Sequence, residues 1–223
     1  MKKLESSLKN MILSLTGFTV VAGALLGWVN DVTTEPIAQA NAKTLSDAIA
    51  VVVPTFDNNP AAEPETVEVD GESFKVYKAT NGGNFVGAAV ESTSMGFGGS
   101  LKVLVGFDVD GNIVDYSLLS HSETPGLGSK AAEWFKKGAK GDITGKNPGA
   151  KALVVSKDGG DVNAITASTI TSRAFLAAVN KAYAAYKQQY SNAPVASNAT
   201  QATDGKTAAT YRVDPETIKQ ANK

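Results

Sequence analysis

Between Asn163 and Arg173 the chain reads Asn-Ala-Ile-Thr-Ala-Ser-Thr-Ile-Thr-Ser-Arg, which brings Thr166, Ser168, Thr169 and Thr171 together just ahead of a helical apolar pattern over 174–190. A helix start offers free N–H groups and the positive end of the helix dipole, so hydroxyls placed there suit a phosphate or its ester. Ser and Thr are also ordinary N-cap residues, and the local pattern alone accommodates both roles. Arg173 lies one helical turn beyond Thr169, where it either reaches such an anion or points into solvent.

Two further loops carry polar groups. Residues 120–130, Ser-His-Ser-Glu-Thr-Pro-Gly-Leu-Gly-Ser-Lys, set Glu123 and Thr124 beside Pro125-Gly126. That pair suits a type II turn, with Ser129 placed to cap a following helix. Residues 94–99, Ser-Met-Gly-Phe-Gly-Gly, fall between two strand patterns. Their glycines permit positive φ and close approach of backbone N–H groups to a ligand, or simply connect a hairpin. His121 is the sole histidine and there is no cysteine, so a metal site of the usual nitrogen or sulfur kind lacks its partners. A Ser-His-acid triad lacks any supporting G-x-S-x-G motif. Neither catalytic nor metal-binding residues are assigned, and without thiolate ligands for a cluster any redox chemistry has to come from another cofactor.

These loops must be positioned by the rest of the chain. Residues 10–30 contain no charged side chain and, at about 1.5 Å per helical residue, match the roughly 30 Å hydrocarbon core of a bilayer. Lys2, Lys3 and Lys9 precede this run against Glu5 alone, while Asp31 and Glu35 follow it. By the positive-inside rule residues 1–9 stay in the cytoplasm and everything beyond 30 faces the other side. Trp28 suits an interfacial anchor, and Ala22-Gly23-Ala24 leaves a cleaved signal peptide as the rival reading. The balance of 21 basic and 22 acidic residues offers no footprint for nucleic acid.

Glu35-Pro36 predicts a helix break, and 31–64 reads as a connector with an amphipathic helix over 37–53, spaced by Ile37, Leu45, Ala48, Ile49 and Val52. Strands are expected over 66–69, 73–79, 85–91, 101–107 and 113–119, punctuated by Asp70-Gly71, Asn81-Gly82-Gly83 and residues 108–112. A short helix over 129–137 and a strand over 152–156 follow. The last helix lays Ala174, Phe175, Ala178, Val179, Ala182, Tyr183 and Tyr186 in one stripe, as a helix packed on a sheet does. The expected class is α+β, a twisted antiparallel sheet flanked by helices over 65–190. Residues 191–223, rich in Ala, Ser, Asn, Thr and Gln, read as a disordered tail.

Glu-Thr-Pro-Gly-Leu-Gly at 123–128, combined with Thr166-Ala167-Ser168-Thr169 before the last helix, resembles the FMN-binding domain family. The order of anchor, glycine loop, ETPGLG loop and hydroxyl motif is similar to that of G subunits of Rnf-type electron-transport complexes, related to the C subunits of sodium-translocating NADH:quinone reductases. In that family a flavin transferase using FAD joins FMN through its phosphate to the last threonine of a Ser/Thr-Gly-Ala-Thr motif, which corresponds to Thr169. The chain departs from the pattern at Ala167 for glycine, Ser168 for alanine and Asn163 for an acid.

The resemblance implies a phosphoester at Thr169, with Thr166, Ser168 and Thr171 nearby and Glu123, Thr124, Gly126 and Leu127 flanking the flavin. It implies an electron carrier, not catalytic alone, working with the other members of an Rnf complex at the periplasmic face of a bacterial inner membrane. The C subunit of a quinone reductase and a non-redox exported ligand-binding domain are the alternatives.

Overall fold

The computed structural model of the chain describes residues 8–190. The expected cytoplasmic segment before Leu8 and the expected disordered tail over 191–223 lie outside the described residues.

Five strands, β1 (Glu65–Val69), β2 (Glu72–Asn81), β3 (Asn84–Met95), β4 (Ser100–Asp108) and β5 (Ile113–His121), pair antiparallel in chain order. The first two connections are as tight as two residues allow. Asp70 and Gly71 take φ of 51° and 80°, and Gly82 and Gly83 take 57° and 80°, the left-handed pair that a type I′ hairpin needs. The β4–β5 loop is closed by Asp108, whose Oδ1 accepts the N–H groups of Asp110 and Asn112.

Alternation along the strands gives the sheet two apolar faces. On β4, Leu101, Val103, Val105 and Phe107 join a core completed by Phe135, Phe175, Leu176, Val179 and Tyr186, the last four from the buried stripe of helix α3 (Thr169–Tyr190). Leu104 points the other way, into a smaller core with Tyr77, Ala79, Ala89 and the end of helix α1 (Leu8–Val52). There Ala48, Ile49 and Val52 of α1 settle on the sheet, and Gly106 makes the approach possible: a Cβ at Gly106 would lie 1.7 Å from the Val52 carbonyl oxygen. The result is the expected α+β arrangement, a sheet with a helix on each face.

Four local expectations are corrected. Pro36 does not break the first helix, because α1 runs unbroken over 45 residues. The ring removes one backbone donor, and just ahead of it the hydroxyls of Thr33 and Thr34 donate to the carbonyls of Val29 and Asn30. Ile37 is exposed, so the buried stripe of this segment is confined to its end. The helix expected over 129–137 shrinks to a 3-10 turn, Gly128–Lys130, and a single turn α2 (Ala131–Trp134). Residues 152–156 are not a strand; Val155 makes one parallel bridge to Val162 and leads into a 3-10 turn, Ser156–Asp158.

Candidate functional site

The hydroxyl-rich motif is itself the first turn of α3, which begins at Thr169 and not after Arg173. Ser172 fixes this start in place: its Oγ donates to the Ser168 carbonyl at 2.9 Å and accepts the Ile165 N–H at 2.9 Å. The first helical bond runs from Ser172 N–H to Ser168 O. The N–H groups of Thr169, Ile170 and Thr171 therefore have no partner within the helix and face outward as donors. Ala167, just before, sits at φ 62°, a left-handed conformation that costs a residue with a Cβ about 1–2 kcal/mol.

A cavity of about 410 Å³ opens at this helix start, lined by Phe97 of the glycine loop, by Glu123, Thr124, Leu127 and Gly128, and by residues 167–171. Its size is that of a small-molecule site. Around it Phe97, Leu127 and Ile170 leave apolar surface exposed, at 70%, 42% and 52%. Six of the residues expected from the sequence meet here: Ser168, Thr169, Thr171, Glu123, Thr124 and Leu127. Thr166 and Gly126 do not line the cavity. Gly126 shapes the wall instead, with φ 77° in a turn closed by Leu127 N–H to Thr124 O at 3.2 Å, as Pro125-Gly126 predicts. Ser129 is not a helix cap; its Oγ accepts the Gly126 N–H at 2.9 Å.

Glu123 ties the three segments together. It is 5% exposed; Thr171 Oγ1 donates to its Oε2 at 2.7 Å and Gly98 N–H to its Oε1 at 3.3 Å. Both oxygens accept, which suits a carboxylate, and a buried carboxylate is tolerable only with such donors. The surrounding glycines exist for this packing. A Cβ would lie 2.0 Å from Glu123 Oε1 at Gly96 and 2.4 Å from Oε2 at Gly128, and at Gly98 it would lie 2.2 Å from the Ser122 carbonyl oxygen. Close approach, more than positive φ, is what the glycine loop requires. Thr171 is thereby a structural partner of Glu123 with its hydroxyl engaged. His121 accepts the Glu123 N–H on Nδ1 at 3.2 Å and shapes the same loop.

Arg173 does not reach the helix start. Its Nε and one terminal nitrogen pair with both oxygens of Asp158 at 2.7 Å; the hydrogen bond from Arg173 holds the Asp158 carboxyl below its ordinary value, and Asp158 raises Arg173 in turn. The cation facing Thr169 is Lys157, whose Nζ donates to Thr169 Oγ1 at 3.3 Å. The two lie 12 positions apart across irregular chain, so no periodicity connects them. Asn163, where the resembled family carries an acid, braces the motif from behind: its side chain donates to the Lys140 carbonyl and its own backbone carbonyl accepts Trp134 Nε1.

Residues 96–184 match the FMN-binding domain family. The chain is 34% identical over 171 residues to the G subunit of the ion-translocating oxidoreductase complex of Cereibacter sphaeroides, covering 74% of this chain and 77% of that one. It is 31% identical over 181 residues to the G subunit of the proton-translocating ferredoxin:NAD(+) oxidoreductase complex of Clostridium ljungdahlii, covering 80% and 91%. With the G subunit of the Na(+)-translocating ferredoxin:NAD(+) oxidoreductase complex of Acetobacterium woodii it shares 33% over 183 residues, covering 76% and 86%. The chain belongs to this family, the G subunits of ion-translocating oxidoreductase complexes.

Proposed function

We propose that the protein is the covalently flavinylated electron carrier of a membrane-bound ion-translocating ferredoxin:NAD oxidoreductase, with FMN joined by its phosphate to Thr169. The observation that carries this reading is the position of Thr169, the first residue of a 22-residue helix and part of the wall of the 410 Å³ cavity. An FMN phosphate fits there: the N–H groups of Thr169, Ile170 and Thr171 are free of helical partners, and the helix dipole favours an anion. Phe97, Leu127 and Ile170 supply apolar surface for a flat ring, and Thr124 a hydroxyl at its edge.

Bound FMN supplies electron uptake and release, and the protein's part is to place it and set its surroundings. Ser168 and the N–H groups would hold the ester and Thr124 and Leu127 would flank the ring, while Gly126 shapes the turn. Glu123 keeps the glycine loop, the ETPGLG loop and α3 in register. A carboxylate lining the cavity would oppose addition of an electron to a bound flavin, whereas backbone and threonine donors would favour it.

The exposed apolar part of α1, joined to the family, makes this a membrane-anchored protein. In our reading 10–30 spans a bacterial inner membrane, 31–64 is the connector, and 65–190 carries the flavin on the periplasmic side. The other members of the complex are its redox partners, and a flavin transferase matures it.

Expression of the full chain with and without an active flavin transferase, followed by in-gel fluorescence of the denatured protein, tests the reading. A fluorescent band that disappears in Thr169→Val and persists in Ser168→Ala and Thr171→Val is expected. A dark wild type beside an active transferase overturns covalent attachment, and a bright Thr169→Val overturns the site.

A further inference from the structure

Lys157 stands on the 3-10 turn Ser156–Asp158, its Nζ within hydrogen-bond distance of Thr169 Oγ1. The turn is held from several directions. Asp158 is clamped by Arg173 of α3, Val155 bridges Val162, and Gly160 lies so close that a Cβ there would be 1.9 Å from the Val154 carbonyl oxygen. The two cations near the helix start are therefore in different situations. Arg173 is neutralised by Asp158, whereas Lys157 forms no salt bridge among the described residues and offers its ammonium to the Thr169 oxygen.

We propose that Lys157 is a positioning residue for the modification of Thr169, orienting the hydroxyl before transfer and neutralising the phosphate afterwards; this rests on Thr169 being the attachment site. In the transfer the Thr169 Oγ–phosphorus bond forms and the pyrophosphate bond of FAD breaks. AMP leaves, and the hydroxyl proton passes to a base of the transferase or to water. The threonine side chain changes from neutral to a phosphodiester with one negative charge, beside an ammonium already aimed at its oxygen. An N–H donated to Oγ1 also occupies one lone pair, which fixes the direction from which phosphorus is approached. Hydrogen bonds with one charged partner are the stronger kind, so loss of this one is expected to be felt in the rate.

The test is single-turnover labelling of the full chain by a flavin transferase with FAD, followed as in-gel fluorescence, for wild type, Lys157→Gln, Lys157→Arg and Lys157→Glu. We expect Lys157→Gln to slow labelling about tenfold, Lys157→Glu to slow it further and Lys157→Arg to restore most of the rate. The thermal midpoint of the unlabelled chain is expected to stay unchanged in all three. In purified labelled protein the phosphorus NMR resonance is expected to shift in Lys157→Gln and to stay in place in the control Lys151→Gln. Wild-type rates in both Lys157→Gln and Lys157→Glu overturn the inference while leaving the attachment site standing. A wild type that an active transferase leaves unlabelled overturns both.

Discussion

At the scale of single residues, the departures of the hydroxyl motif from its family acquire physical meaning. Ala167 stands where glycine is usual and adopts φ 62°, so the sequence puts a Cβ where the backbone would rather have none. Replacement by glycine relieves about 1–2 kcal/mol of left-handed strain and returns about 0.5–1 kcal/mol of unfolded-state entropy. Ala167→Gly is thus expected to stabilise the protein by about 0.5 kcal/mol, read as a small rise in the midpoint of chemical denaturation; a fall would mean the left-handed turn is not strained. Ser168 and Thr171 add hydroxyls beside Thr169, but Thr171 donates to Glu123 and is buried, which leaves Thr169 half-exposed as the reachable one. None of this is written in residue type alone. Helical spacing leaves Arg173 either to reach the motif or to point into solvent, whereas the fold gives Arg173 to Asp158 and brings Lys157 across to Thr169.

At the scale of elements, periodicity locates the last helix because α3 buries one stripe, and it locates the strands because their apolar runs, buried on both faces in β4, are bounded by turn residues. It fails where the local rule has an exception. Pro36 reads as a stop, yet α1 continues, since loss of one backbone donor costs about 3 kcal/mol while the helix on either side keeps its own hydrogen bonds. Residues 152–156 look like a strand by their apolar run, but they do not join the five-stranded sheet, and among the described residues the segment bridges only Val162, through Val155. A 45-residue helix is roughly 68 Å long, more than twice the bilayer core, so α1 is long enough both to span the membrane and to stand clear of it. The chain lacks cysteine, which makes a single-cysteine scan clean. Leu13→Cys, Val20→Cys and Leu26→Cys are expected to resist a water-soluble maleimide, and Asn41→Cys to react only from the non-cytoplasmic side. Reaction of Asn41→Cys from the cytoplasm would reverse the orientation.

For the whole molecule, the sheet with a helix on each face is a frame that brings three distant loops to one place, and their meeting at Glu123 is not legible in the sequence. Residue types show which loops carry polar groups; that a buried carboxylate latches them depends on glycines at 96, 98 and 128 packing around it, a tertiary fact. The outer surface also sets a pH response. Arg173 holds Asp158 below its ordinary value of 3.8, and Lys146 does the same to Asp161; for Asp142 the upward push of partial burial is outweighed by hydrogen bonds from Thr144 and Gly138. Carboxyls depressed in the fold favour it fully above pH 3.8 and cease to do so as the pH falls through their lowered values. The thermal midpoint is expected to be insensitive to these groups from about pH 9 to about 5 and to fall in stronger acid, with Asp158→Asn shrinking that fall; an acid response unchanged in Asp158→Asn would contradict the assignment. The most direct test of the central claim is mass spectrometry of the native protein cut by trypsin. Cleavage after Lys157 and Arg173 isolates residues 158–173 as one peptide. We predict that this peptide carries FMN and that its fragments place the phosphoryl group on Thr169. An unmodified peptide from a fully assembled complex, or a flavin on Ser168 or Thr171, would contradict the account.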